Sequence, residues 1–167
     1  MKASILTALT VCAMLAAGTH SKAQQAGPSP APPMPPTTSY GPPITLEQAK
    51  KVADGAEAEA KKRNQNMAIA IVEPSGELVY FRRMDGTQYA SIAISQSKAV
   101  SAAKFRRATK AFRERIVKGD MSPMALVGAV ASDGGIPIGW NGKIIGAIGT
   151  SGGADHAVSQ AGVDALK

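Results

Sequence analysis

In Ile136-Pro137-Ile138-Gly139-Trp140-Asn141-Gly142-Lys143-Ile144-Ile145-Gly146-Ala147-Ile148-Gly149-Thr150, two apolar runs meet at Asn141-Gly142. Both residues of that pair tolerate positive φ, so the spacing predicts a β-hairpin of Ile136–Trp140 and Lys143–Thr150. Beyond it, Ala154, Ala157, Val158, Ala161 and Leu166 recur at helical spacing and predict a closing helix over the sheet. Before it, Ala125 to Ala131 reads as a further strand, although Gly128 weakens any regular element there. Met67–Glu73 and Leu78–Met84 flank the turn Pro74-Ser75-Gly76 and predict a second hairpin. Its first strand is apolar on both alternations, so helices are expected above and below the sheet.

Thr45-Leu46-Glu47-Gln48 has the form of a capping box, and a helix is expected from there to about Arg63. Leu46, Ala49, Val52, Ala53, Ala56 and Ala60 give it a narrow face of small residues. Tyr89, Ile92, Ala93, Gln96, Ala99, Val100 and Ala103 outline a second helix, and Thr109 is placed to cap a third that stops at Gly119. The expected order is helix, two strands, two helices, about three strands and a helix. That is an α+β class with a three-layer α/β/α arrangement.

The chain has 167 residues, and its amino end reads differently from the rest. Met1-Lys2, the apolar stretch Ile5–Ala17 and the small-x-small site Ser21-Lys22-Ala23 predict an export signal over residues 1–23. Residues 24–43 read as a proline-rich linker, with eight prolines among the seventeen residues of Gly27–Pro43, and 44–167 as the folded domain. The expected location is periplasmic or secreted. The single cysteine, Cys12, falls within the signal, so the exported chain has no thiol and its core must suffice without disulfides. Without Lys2 and Lys22 the net charge falls from +7 to +5, mildly basic and unlike a nucleic-acid binder. No second stretch is apolar enough to span a membrane.

Candidate chemistry concentrates in Gly149-Thr150-Ser151-Gly152-Gly153-Ala154-Asp155-His156, which runs from a strand into a helix. Free amides and the positive helix end there suit a carboxylate or phosphate, with Gly152 and Gly153 lining the pocket. Gly139, Gly146 and Gly149 leave the strands bare, open to close approach by a helix or by a planar cofactor. His156 is the one histidine after residue 23, so no multi-histidine metal cluster forms within one subunit, whereas haem iron needs only one strong axial ligand. Asp155 is the neighbouring group expected to orient its ring. Ser95-x-x-Lys98 and Ser101-x-x-Lys104 fit a serine–lysine spacing, but the motifs that accompany it in serine–lysine enzymes are missing.

Thr45-Leu46-Glu47-Gln48-Ala49, Gly76-Glu77-Leu78-Val79, Arg83-Met84-Asp85-Gly86, Phe105-Arg106-Arg107-Ala108-Thr109, Gly134-Gly135-Ile136-Pro137-Ile138 and Gly146-Ala147-Ile148-Gly149-Thr150-Ser151-Gly152 together resemble the GlcG/HbpS-like haem-binding, sometimes haem-degrading, family. That family is related to the C-terminal domain of PduO-type corrinoid adenosyltransferases. The resemblance implies a profilin-like three-layer sandwich with a five-stranded antiparallel sheet, homo-oligomers, and haem or another tetrapyrrole as ligand, a corrinoid being the second choice. It implies haem binding with degradation or haem and iron sensing as further roles. With no histidine in the first two helices, the iron-ligand expectation falls on His156. Lys98 or Arg106 is then expected at the propionates, and Met84, Met121, Met124 and Tyr89 are secondary candidate ligands that read equally as core or loop residues. Two other readings remain: a small-molecule enzyme using Asp85, Lys98 or Asp155 on a carboxylate substrate, and a non-catalytic assembly module.

Overall fold

The computed structural model describes residues 35–167. The export-signal expectation and the first part of the linker lie outside the described residues. In chain order the elements are α1 (Leu46–Lys62), β1 (Ala68–Val72), β2 (Leu78–Arg83), α2 (Ala90–Phe105), α3 (Lys110–Val117), a short 3-10 turn (Ser122–Ala125), β3 (Gly135–Trp140), β4 (Lys143–Ser151) and α4 (Asp155–Ala165). The strands form one antiparallel sheet in the order β2-β1-β4-β3.

The capping box forms as expected: Gln48 N donates to Thr45 Oγ1 at 3.2 Å and Thr45 N donates to Gln48 Oε1 at 3.0 Å. The β3–β4 hairpin turns at Asn141 (φ 49°) and Gly142 (φ 73°), two positive values in succession.

Strand register sorts the sheet into two unlike faces. Ile69, Ile71, Ile136, Ile138 and Ile148 point to one side and are buried with Val52, Ala53 and Ala56 of α1 and Val158 of α4. Burying each such isoleucine contributes about 1.5–3 kcal/mol. Ala70, Val72, Ala147, Gly149, Gly135 and Pro137 share the other side, which α2 covers. A Cβ placed on Gly149 would strike the backbone at Ser95 and Ala99, so α2 rests almost directly on the strand. The body that approaches this bare strand is therefore a helix.

Two expectations are corrected. The sheet has four strands among the described residues, because 125–131 forms no strand: Pro123 opens the 3-10 turn, Gly128 adopts φ 81°, and Val130 N donates to Ser101 Oγ rather than to a strand. Thr109 does not cap α3. Its hydroxyl accepts from Gly135 N at 3.0 Å and donates to Ser132 O at 2.5 Å, fastening the α2–α3 corner to the start of β3.

The end of the linker is built onto the domain. Gly41 N and Ile44 N donate to Ile144 O and Ile145 O, both at 2.8 Å, and Tyr40 makes an isolated parallel bridge to Ile144. Tyr40 OH donates to Ala103 O at 2.9 Å at the last turn of α2.

Candidate functional site

The buried face of α2 carries Ser91, Ser95, Lys98 and Ser101 beside its alanines. Lys98, 1% exposed, sends its Nζ to Thr150 O at 3.1 Å and to Asp155 Oδ2 at 2.5 Å. A cation withdrawn from water requires this pairing. Asp155 Oδ1 accepts Gly152 N at 3.0 Å and Gly153 N at 2.9 Å, while Ala154 N donates to Gln65 Oε1 at 2.8 Å. The amides of Gly152, Gly153 and Ala154, just before α4 and expected to be open to an anion, are thus satisfied by the chain's own side chains. Gly152 and Gly153 lie against the Gln65–Met67 segment, where a Cβ would meet Asn66 O or the Gln65 side chain.

Lys98 and Asp155 therefore hold α2 to the β4–α4 corner. Lys98 is enclosed rather than placed at a surface where a propionate could reach it. Asp155 does not orient His156, because both carboxylate oxygens are already engaged; a short acidic side chain at a helix start captures nearby amides first.

His156 follows in the first turn of α4 and is half-buried. Its Nδ1 is buried and has no hydrogen-bond partner. Burial foremost, then the charge of Lys110, lowers its pKa, with Asp133 and Glu114 opposing. A neutral ring with a lone pair to give is the form that coordinates iron. His156 lines neither of the two clefts described below.

The remaining expected residues are scattered. Arg106 ends α2 in a left-handed conformation, φ 53° and ψ 36°, with its guanidinium 5.6 Å from the Tyr40 ring. Tyr89 stands 82% exposed at the other end of α2, with Arg83 5.7 Å from its ring centroid. A helix of that length spans about 24 Å, so Tyr89 and Arg106 stand at opposite ends of α2.

Sequence reasoning missed an outward apolar surface. Met121, Met124 (68% exposed) and Val127 (98%) stand exposed in the segment after α3. Just beyond that segment, a cleft of about 350 Å³ lies between Gln96, Ser97 and Val100 of α2 and residues 128–130. The signal was present: Met124, Leu126 and Val127 form an apolar run between Pro123 and Gly128, two residues that keep it from pairing as a strand. A second cleft, about 440 Å³, lies between α1 and the end of β2. Arg82 there is held by Asp54 at 2.8 Å, by Glu57 and by Tyr80 OH at 2.9 Å. Among the described residues no helix is long and apolar enough to cross a membrane, and no group of three or more histidine, cysteine or acidic residues could hold a metal ion.

A family described as haem degrading protein HbpS-like matches residues 44–164. Protein GlcG of Escherichia coli (strain K12) is 33% identical over 108 residues, 65% of this chain and 81% of that protein. Among solved structures, a variant of Streptomyces reticuli HbpS superposes with a TM-score of 0.69 at 23% identity, covering 85% of this chain and 99% of that one. A complex of PduOC with haem gives 0.66 at 21% identity, covering 74% and 94%. At those identities the two structures establish the shared fold.

Proposed function

The chain belongs to the HbpS-like family, and on that premise we propose that it is a haem-binding protein whose iron ligand is His156. The observation that carries the reading is the state of that ring: neutral, at the head of a pinned helix, with a buried Nδ1 that no protein group occupies. Coordination through Nε2 leaves Nδ1 facing the protein, the usual arrangement of a ligating histidine. Lys98 fixes the corner that presents the ring, and Lys110, whose charge acts on His156, is the near cation for a propionate. Bound haem iron would supply the redox and oxygen chemistry that degradation requires.

His156 lines neither described cleft of one subunit, and methionine and aliphatic side chains stand exposed in the segment after α3. Both features support a homo-oligomer in which a second copy closes the porphyrin's other wall. The amino-terminal 1–23 and 24–43 segments fit export to the periplasm or medium on a proline-rich arm. The test is a haemin titration of the full chain followed in the Soret region, with cobalamin as a parallel arm. A saturable Soret shift with haemin and no response to cobalamin supports the reading; a spectrum equal to haemin in buffer removes it.

A further inference from the structure

Among the described residues, two buried side-chain polar atoms lack any hydrogen-bond partner: His156 Nδ1 and Asp133 Oδ1. They belong to one small patch of the fold. Gly134 O accepts from Ser159 Oγ at 2.6 Å and from Thr150 N at 3.0 Å, tying the start of β3 to α4. A Cβ on Gly134 would lie 2.6 Å from that of Asp155, so residues 134 and 155 abut. Asp133 and His156 are the next residues along each segment. Buried polar groups are rarely left unmatched, and these two are complementary: a carboxylate accepts, and an imidazole nitrogen can donate.

We infer that Asp133 is the positioning residue for His156, taking the Nδ1 proton in a hydrogen bond made directly or through one water, and so leaving the Nε2 lone pair free. Its other oxygen, Oδ2, stands 3.4 Å from Arg113 Nη1, which restrains the carboxylate from the α3 side. Lys110 and Glu114 on α3 are the other charged groups acting on the ring, and they offset one another. The role toward iron rests on the haem reading above; the pairing itself does not.

The test is ring nitrogen NMR on the full apo chain at about pH 8, where histidine is neutral. The signal of His156 is assigned by its loss in His156→Gln. The expected result is a predominant Nδ1–H tautomer in the wild type, lost in Asp133→Ala, restored in Asp133→Glu and kept in Arg113→Gln. Haemin affinity should fall about 10- to 100-fold in Asp133→Ala and recover in Asp133→Glu. An unchanged tautomer in a folded Asp133→Ala, or equal loss in Arg113→Gln, overturns the inference. A tautomer that responds to Asp133→Ala in a chain that binds no haemin supports the pairing and removes the haem reading alone.

Discussion

Lys98 and Asp155, 57 residues apart in the chain, are joined by a 2.5 Å contact from Nζ to Oδ2 that locks the central helix of one face to the first turn of the helix on the other. Lys98 also caps Thr150 O, so its removal strands both a carboxylate and a carbonyl. Breaking a buried pair on one side typically costs about 3–5 kcal/mol. Lys98→Met is expected to lose stability on that scale in urea denaturation, and a change below about 1 kcal/mol would refute the pinning role.

Gly149 has no room for a methyl group, because Ser95 O and Ala99 N are backbone atoms and cannot rotate away. Gly149→Ala should therefore push α2 off the sheet, at a cost of about 1–3 kcal/mol or more. Thermal unfolding of this variant against wild type measures it, and an unshifted midpoint would contradict the close packing.

Tyr40 fastens the end of the proline-rich arm to α2 through a bond to Ala103 O at 2.9 Å and a second to Lys104 O at 3.2 Å. Tyr40→Phe removes the donor and keeps the ring under Arg106. The expected loss is about 0.5–1.5 kcal/mol, together with faster proteolysis near residues 38–44. Equal protease resistance in both proteins would show that the hydroxyl does not hold the strap.

His156 makes stability depend on pH in a defined direction. Its folded pKa lies below the ordinary 6.5, chiefly through burial, so the unfolded chain takes up its proton first as pH falls. Stability is full above pH 6.5 and is lost as pH drops from there through the folded value. Urea midpoints measured across this range should fall more steeply in wild type than in His156→Gln. Parallel slopes would place the ring in an unperturbed setting.

Strong local chemistry made much of this fold readable in the sequence. The Asn141-Gly142 turn and the Thr45–Gln48 capping box appear at the expected residues because each is decided by a few neighbouring groups. The orientation of α2 was readable only in part. Ala99 and Ala103 of the expected stripe are buried, yet Ser91, Ser95 and Lys98 turn inward as well and Ala93 stays exposed. The reason lies on the partner surface: a face of Ala70, Ala147, Gly135 and Gly149 admits a helix at near contact, where serine fits and isoleucine does not. The strand expected at 125–131 does not form because the apolar run is held in a 3-10 turn at Pro123 and bent at Gly128, which adopts φ 81°.

The candidate site divides in the same way. His156 stands out by composition alone, as the one histidine beyond residue 23. Lys98 and Asp155 look reactive in sequence because ionisable residues near glycines suggest an anion pocket; only the tertiary contacts reveal that each neutralises the other. Asp133 gave no signal, being distant in the chain and unremarked by any motif, and its relation to His156 emerges from the Gly134–Asp155 contact.

The most direct measurement is the haemin dissociation constant of the full chain beside His156→Ala, read from the Soret band. Ligation by His156 predicts saturable binding by the wild type and a loss of about tenfold or more in the variant, the scale on which disturbed metal ligation registers. Equal affinities and identical bound spectra for the two proteins would contradict ligation by His156.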